Sequence, residues 1–90
     1  MEDFNRIFEL EHNFILKNDI VLSFYEKYLA NIKNDKTEKS VKNSFNHYVS
    51  FTDNIQNRLY DATDICDTMS LLIERDQFID SVMMTNGLNK

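Results

Sequence analysis

Apolar positions recur along this chain at helical intervals. Between residues 2 and 33, Phe4, Phe8, Ile15, Leu22, Tyr25, Leu29 and Ile32 lie on a ladder whose steps alternate four and three residues, with Glu11 and Asn18 as its polar members. Ile7, Phe14, Val21, Phe24 and Tyr28 widen that stripe on one side. The spacing predicts an amphipathic helix of about thirty residues, or two helices broken near 17–19, where Asn18 or Asp19 can cap a helix beginning "IVLSFYEKYL".

The most polar segment, "KNDKTEKS", follows at 33–40. Asn34 and Asp35 suit a turn and Thr37 suits an N-cap, so a polar turn is placed at 34–37. From Glu38 nothing interrupts a helix until Gly87. Val41, Phe45, Tyr48, Thr52, Ile55, Leu59, Ala62, Cys66, Met69 and Ile73 continue the alternation of four and three, which predicts a coiled-coil seam on a long helix from about 38 to 85. At 1.5 Å per residue that helix is roughly 70 Å long, with Gly87 as its left-handed C-terminal cap.

Two seams joined by a short turn predict an all-α antiparallel helical hairpin, or a three-helix bundle if the long helix breaks. In the hairpin, residue 33 faces about 38 and residue 2 faces about 69. Leu71, Leu72, Ile73, Phe78, Ile79, Val82 and Met83 then overhang the shorter helix. Burying each such side chain is worth about 1.5–3 kcal/mol, and a wet patch of that size is unusual on a soluble monomer. Three outcomes resolve the overhang: packing against a second copy, a break near "ERDQ" (74–77) with a fold-back, or capture of another protein. Self-association through Leu71, Leu72, Phe78, Ile79, Val82 and Met83 is the leading expectation.

Composition narrows the class. The chain has 90 residues, no Pro, a single Gly and 42% hydrophobic residues, which fits one small helical domain rather than a turn-rich β fold. Its net charge of −5 argues against nucleic acid or an anionic membrane as the main partner. No apolar run approaches the ~20 residues of a membrane span. The opening "MEDFNRIFEL" lacks the basic region and cleavage site of a secretion signal. The lone Cys66 suits a reducing cytoplasm. Abundant Asn, Asp, Lys and Ile match AT-rich coding, as in low-GC bacteria and their phages. Residues 1–20 carry net charge −3, 21–50 carry +2 and 51–82 carry −5, so the turn end is basic and the open end acidic.

Candidate chemistry is sparse. Glu9 and His12 form an E-x-x-H pair of the kind that serves di-metal bundles. A second pair is missing, because Ser44 stands three residues before His47. Cys66 sits on the seam, where a thiol acts as a small hydrophobe. Asp61, Asp64 and Asp67 rotate around the helix as a solvated face or, read functionally, mimic a nucleic-acid backbone. Lys33, Lys36, Lys39 and Lys42 form the one basic patch, diluted by Asp35 and Glu38. Tyr25, Tyr28, Tyr48 and Tyr60 follow helical spacing and suit packing. No phosphate loop, nucleophile elbow or CxxC motif is present.

No motif assigns the chain to a family. The Trp-x-Gly turn of the WXG100 proteins is absent, and the turn reads "KNDKT". In size, acidity and helicity the chain resembles type III secretion chaperones, which implies an adaptor that masks a partner helix. The primary expectation is a cytoplasmic, non-enzymatic protein-interaction module without a cofactor. It is read as a small acidic regulator or inhibitor, phage- or mobile-element-encoded, that self-associates and binds an unidentified protein. The adaptor is the alternative, and a metal-dependent bundle enzyme is a distant third.

Overall fold

In the computed structural model, which describes residues 2–88, the first helix runs unbroken. Helix α1 spans Glu2–Asn31, and "LKND" neither breaks it nor caps a new helix. Asn18 is engaged elsewhere: its side-chain oxygen accepts a 2.6 Å hydrogen bond from the Tyr48 hydroxyl. Helix α2 spans Asp35–Asp61, starting earlier than the Thr37 cap predicts. Asn34 is the N-cap, accepting from the backbone N–H groups of Lys36 (2.9 Å) and Thr37 (3.2 Å), and so satisfies two donors the first turn leaves open.

The long C-terminal helix is two helices. Helix α2 stops at Asp61 and α3 spans Ile65–Thr85. The seam residues Ala62 and Cys66 fall at this break, which lies well before "ERDQ". Its cause is Asp64: extended at φ −135, ψ 166, it accepts from the Asp67 backbone N–H at 2.8 Å. The Thr68 hydroxyl donates back to the Asp64 carbonyl at 3.1 Å. Asp64→Ala is expected to cost about 1 kcal/mol, read as a lower urea midpoint with an unchanged m-value. An unaltered midpoint would show that the break is set by packing alone. Gly87, at φ +69, closes α3, with the Leu88 backbone N–H donating to the Met83 carbonyl at 2.8 Å and Leu88 packed on the core.

The order is up-down-up. Tyr25 of α1 lies 5.3 Å from Phe45 of α2, ring centroid to centroid, close to the hairpin register the ladders predict. Phe51 of α2 stacks on Phe78 of α3 at 3.8 Å. Helix α3 therefore returns beside α1 and parallel to it, and α1 packs more extensively on α3 than on α2. The result is an all-α three-helix bundle, with no strand among the described residues. Val21, Tyr25, Tyr48, Ile79 and Met83 form its central cluster, and Leu10, Ile55, Leu71 and Leu72 are buried as well. The bundle measures 50 × 28 × 16 Å. A helix with side chains is about 10–12 Å across, so this bundle is at most two helices thick and every helix keeps an uncovered side.

Polar groups set how α1 and α3 align. Lys17 bridges Asp76 (2.9 Å) and Asp80 (2.7 Å) of α3. Arg75, 2% exposed, reaches the Glu11 carboxylate, and its guanidinium lies 3.7 Å from the centre of the Phe14 ring. Among the described residues the Arg75 Nε has no hydrogen-bond partner. Burial pushes the Tyr48 hydroxyl well above its ordinary value, Tyr25 adds to this, and the Arg75 charge opposes it. Burial pulls the Lys17 ammonium down, but its bonds to Asp80 and Asp76 outweigh that and leave it raised.

Both raised groups act in one pH window. An unfolded tyrosine ionises near about pH 10 and an unfolded lysine near about 10.4, so the stability they contribute is complete below those values and lost above them. The urea midpoint is therefore expected to fall from about pH 10 upward, with a shallower fall in Tyr48→Phe. A midpoint that holds level across that window would contradict both placements.

Candidate functional site on the outer face of helix 1

The residues expected to form an open contact surface are interior. Leu71, Leu72, Ile79 and Met83 are buried, and Phe78 and Val82 are half-buried against the central cluster. The overhang does not exist, because the chain turns at 62–64 and lays α3 on α1. Fold-back supplies the partner that an unbroken helix lacks.

The unpartnered apolar surface belongs to α1. Phe8 is 71% exposed and Ile15 is 63% exposed, while Phe4, Leu16, Ile20 and Leu22 are also exposed. The first ladder splits into two sets. Its members Glu11, Asn18 and Tyr25 turn toward α2 and α3, where Glu11 meets Arg75, Asn18 meets Tyr48 and Tyr25 enters the core. Phe8, Ile15 and Leu22, seven residues apart, turn outward, with Phe4 one turn before Phe8. The exposed His12 and Asp19 interrupt this outer stripe, and Leu16 and Ile20 lie further round the helix. The exposed parts of Phe4, Phe8, Ile15 and Leu22 sum to roughly 450 Å², the size of the largest apolar patch on a typical lone soluble protein, which is often functional.

The other candidates are dispersed. Glu9 pairs with Arg6 at 3.8 Å and His12 is exposed. No group of three or more His, Cys, Asp or Glu side chains is poised around a metal position among the described residues. His47 packs edge-on against Phe78, ring centroids 6.0 Å apart. Cys66 is exposed at the start of α3, away from the core that the seam predicts for it. Asp61 ends α2, Asp64 caps α3 and Asp67 lies in the first turn of α3, so these acids serve a chain reversal. Lys33, Lys36, Lys39 and Lys42 are exposed, Lys42 pairing with Glu38 at 3.0 Å. Tyr25 and Tyr48 are buried packing groups, whereas Tyr28 and Tyr60 are exposed.

One hollow of about 500 Å³ lies where α1 hands over to α2, lined by Phe24, Tyr28 and Ile32 with Lys27 and Lys33. No described helix is long and apolar enough to cross a membrane. No family model matches the chain, and no curated protein or solved structure is significantly similar to it. The fold defines the class, an all-α three-helix bundle, and the exposed face of α1 is its most distinctive surface.

Proposed function

We propose that this chain is a non-enzymatic protein-interaction module, a small acidic helical regulator or inhibitor that works by contact, with the outer face of α1 as its contact surface. The observation that carries the reading is the exposure of Phe4, Phe8, Ile15 and Leu22 on a helix whose opposite side already holds the bundle together. None of these side chains belongs to the central cluster, and the fraction of each left in water, from 37% of Leu22 to 71% of Phe8, forgoes a corresponding share of the roughly 1.5–3 kcal/mol that full burial of such a side chain gives. A partner is what recovers that free energy. The free, exposed Cys66 supports a reducing, cytoplasmic setting.

Position 15 offers the test. Benzoylphenylalanine placed there, and at the exposed Asn57 of α2 as a control, is irradiated in the cell that makes the protein. Adducts are expected from position 15 and not from 57. Equal yields at both positions, or none at 15, would remove α1 as the working surface.

A further inference from the structure

We infer that the occupant of this face is a second copy of the chain, paired α1 against α1 in antiparallel orientation. The inference rests on the reading of α1 as the contact surface and adds the identity and register of what lies on it.

Area is the first argument. Phe4, Phe8, Ile15 and Leu22 of two copies together bring roughly 900 Å² of apolar surface to the contact before any polar surface is counted, close to the ~1,000 Å² total that a specific protein–protein interface clears. The spacing is the second. Phe8, Ile15 and Leu22 recur every seven residues on one continuous helix, the repeat that lets one helix stay in contact with another along its length. A twofold pairing centred on Ile15 sets Ile15 against its own copy, Phe8 against Leu22 of the second chain, and Leu22 against Phe8. The contact is self-complementary, as a closed dimer requires.

Charge selects the orientation. His12 and Asp19 are the exposed polar residues interleaved with that stripe. In the antiparallel pairing each His12 falls within about one residue of Asp19 on the other chain, where an imidazole N–H can donate to the carboxylate twice over, and Glu11, which lies opposite Asp19, is already held by Arg75. A parallel pairing in register sets the two Asp19 carboxylates against each other, which is repulsive. Helix macrodipoles also oppose each other favourably in the antiparallel arrangement.

The experiment joins mass to register. Light scattering on the full chain across a hundredfold dilution is expected to give twice the chain mass at the concentrated end. Phe8→Asp is expected to weaken the dimer at least about a hundredfold, with the circular dichroism of the parent and the melt of the parent at dilutions where it is dissociated, because Phe8 is exposed in the monomer. In a Cys66→Ser background, Ile15→Cys is expected to form a disulfide-linked dimer on mild oxidation, and Phe8→Cys is not. A chain that stays monomeric throughout overturns the inference. So does self-linkage of Phe8→Cys, which belongs to a parallel pair. Monomeric chain together with adducts to another protein at position 15 overturns the pairing and leaves the contact-surface reading standing.

Discussion

Ile79→Asp is expected to unfold the whole chain. Ile79 is 0% exposed and sits among Val21, Tyr25, Tyr48 and Met83, where α3 meets α1 and α2. A carboxylate there is enclosed by apolar and aromatic side chains, and Arg75, one turn before it, is already paired with Glu11, so the change costs several kcal/mol. A domain this size has a total stability on the order of 4–13 kcal/mol, so the loss consumes most or all of it. The milder Ile79→Ala is expected to cost about 3 kcal/mol through lost burial and a residual cavity, which places the effect within reach of urea titration. The same change on the outer face, Ile15→Asp, is expected to shift the monomer by no more than about 0.5 kcal/mol. Circular dichroism with urea melts compares the pair directly. A helical, cooperatively melting Ile79→Asp protein would mean that α3 is not docked as described.

Glu11→Ala is expected to be the most damaging change at a half-exposed position. Its carboxylate, 45% exposed, is the charge partner of Arg75, whose guanidinium is buried. Removing one member of a fully buried pair costs about 3–5 kcal/mol, chiefly because the other charge is stranded. Water reaching position 11 lowers that to about 2 kcal/mol. Arg75→Met keeps comparable volume against Phe14 and removes the need for a counter-charge, so it is expected to cost less than Glu11→Ala despite altering the more buried residue. In the Arg75→Met background, Glu11→Ala is expected to be nearly silent. Additive losses in that double-mutant cycle would show that the two side chains do not act as a pair.

How far the sequence can be read follows from where each signal resides. Helical periodicity, the polar turn and the Gly87 cap are local, and α1, the α1–α2 register near Tyr25 and Phe45, and the end of α3 agree with them. The α2–α3 break is also local but disguised. The apolar alternation runs on through Ala62 and Cys66 without Gly or Pro, and Asp64 hides its capping role among the similar Asp61 and Asp67.

The first ladder misleads for a different reason. Glu11 and Asn18 look like faults in a core stripe, yet they lie on the inward side because Arg75 and Tyr48 need them there. Their partners are 64 and 30 residues away, beyond any local window. Phe8 and Ile15 look like core and face outward. One signal toward this arrangement is visible in "LLIERDQFI": Arg75 stands three or four residues from Leu71, Leu72, Phe78 and Ile79, so a helix sets it on their apolar side, where it needs a carboxylate from another helix, and Glu11 on the first ladder is such a group.

The short connections at 32–34 and 62–64 make the bundle appear to assemble in chain order, but its largest interface joins the first helix to the last. While the protein is being synthesised, α1 and α2 can pair only through the smaller of the two surfaces that α1 uses. Ile79 and Met83 reach Val21 and Tyr25 of α1 only after α3 has been made. Until then the nascent hairpin exposes both sides of α1, the side meant for the core and the side carrying Phe8 and Ile15, and is at its most exposed to chaperones and proteases. A chain cut at Ser70 is arrested in that state, so loss of its structure reports incomplete folding rather than loss of a partner.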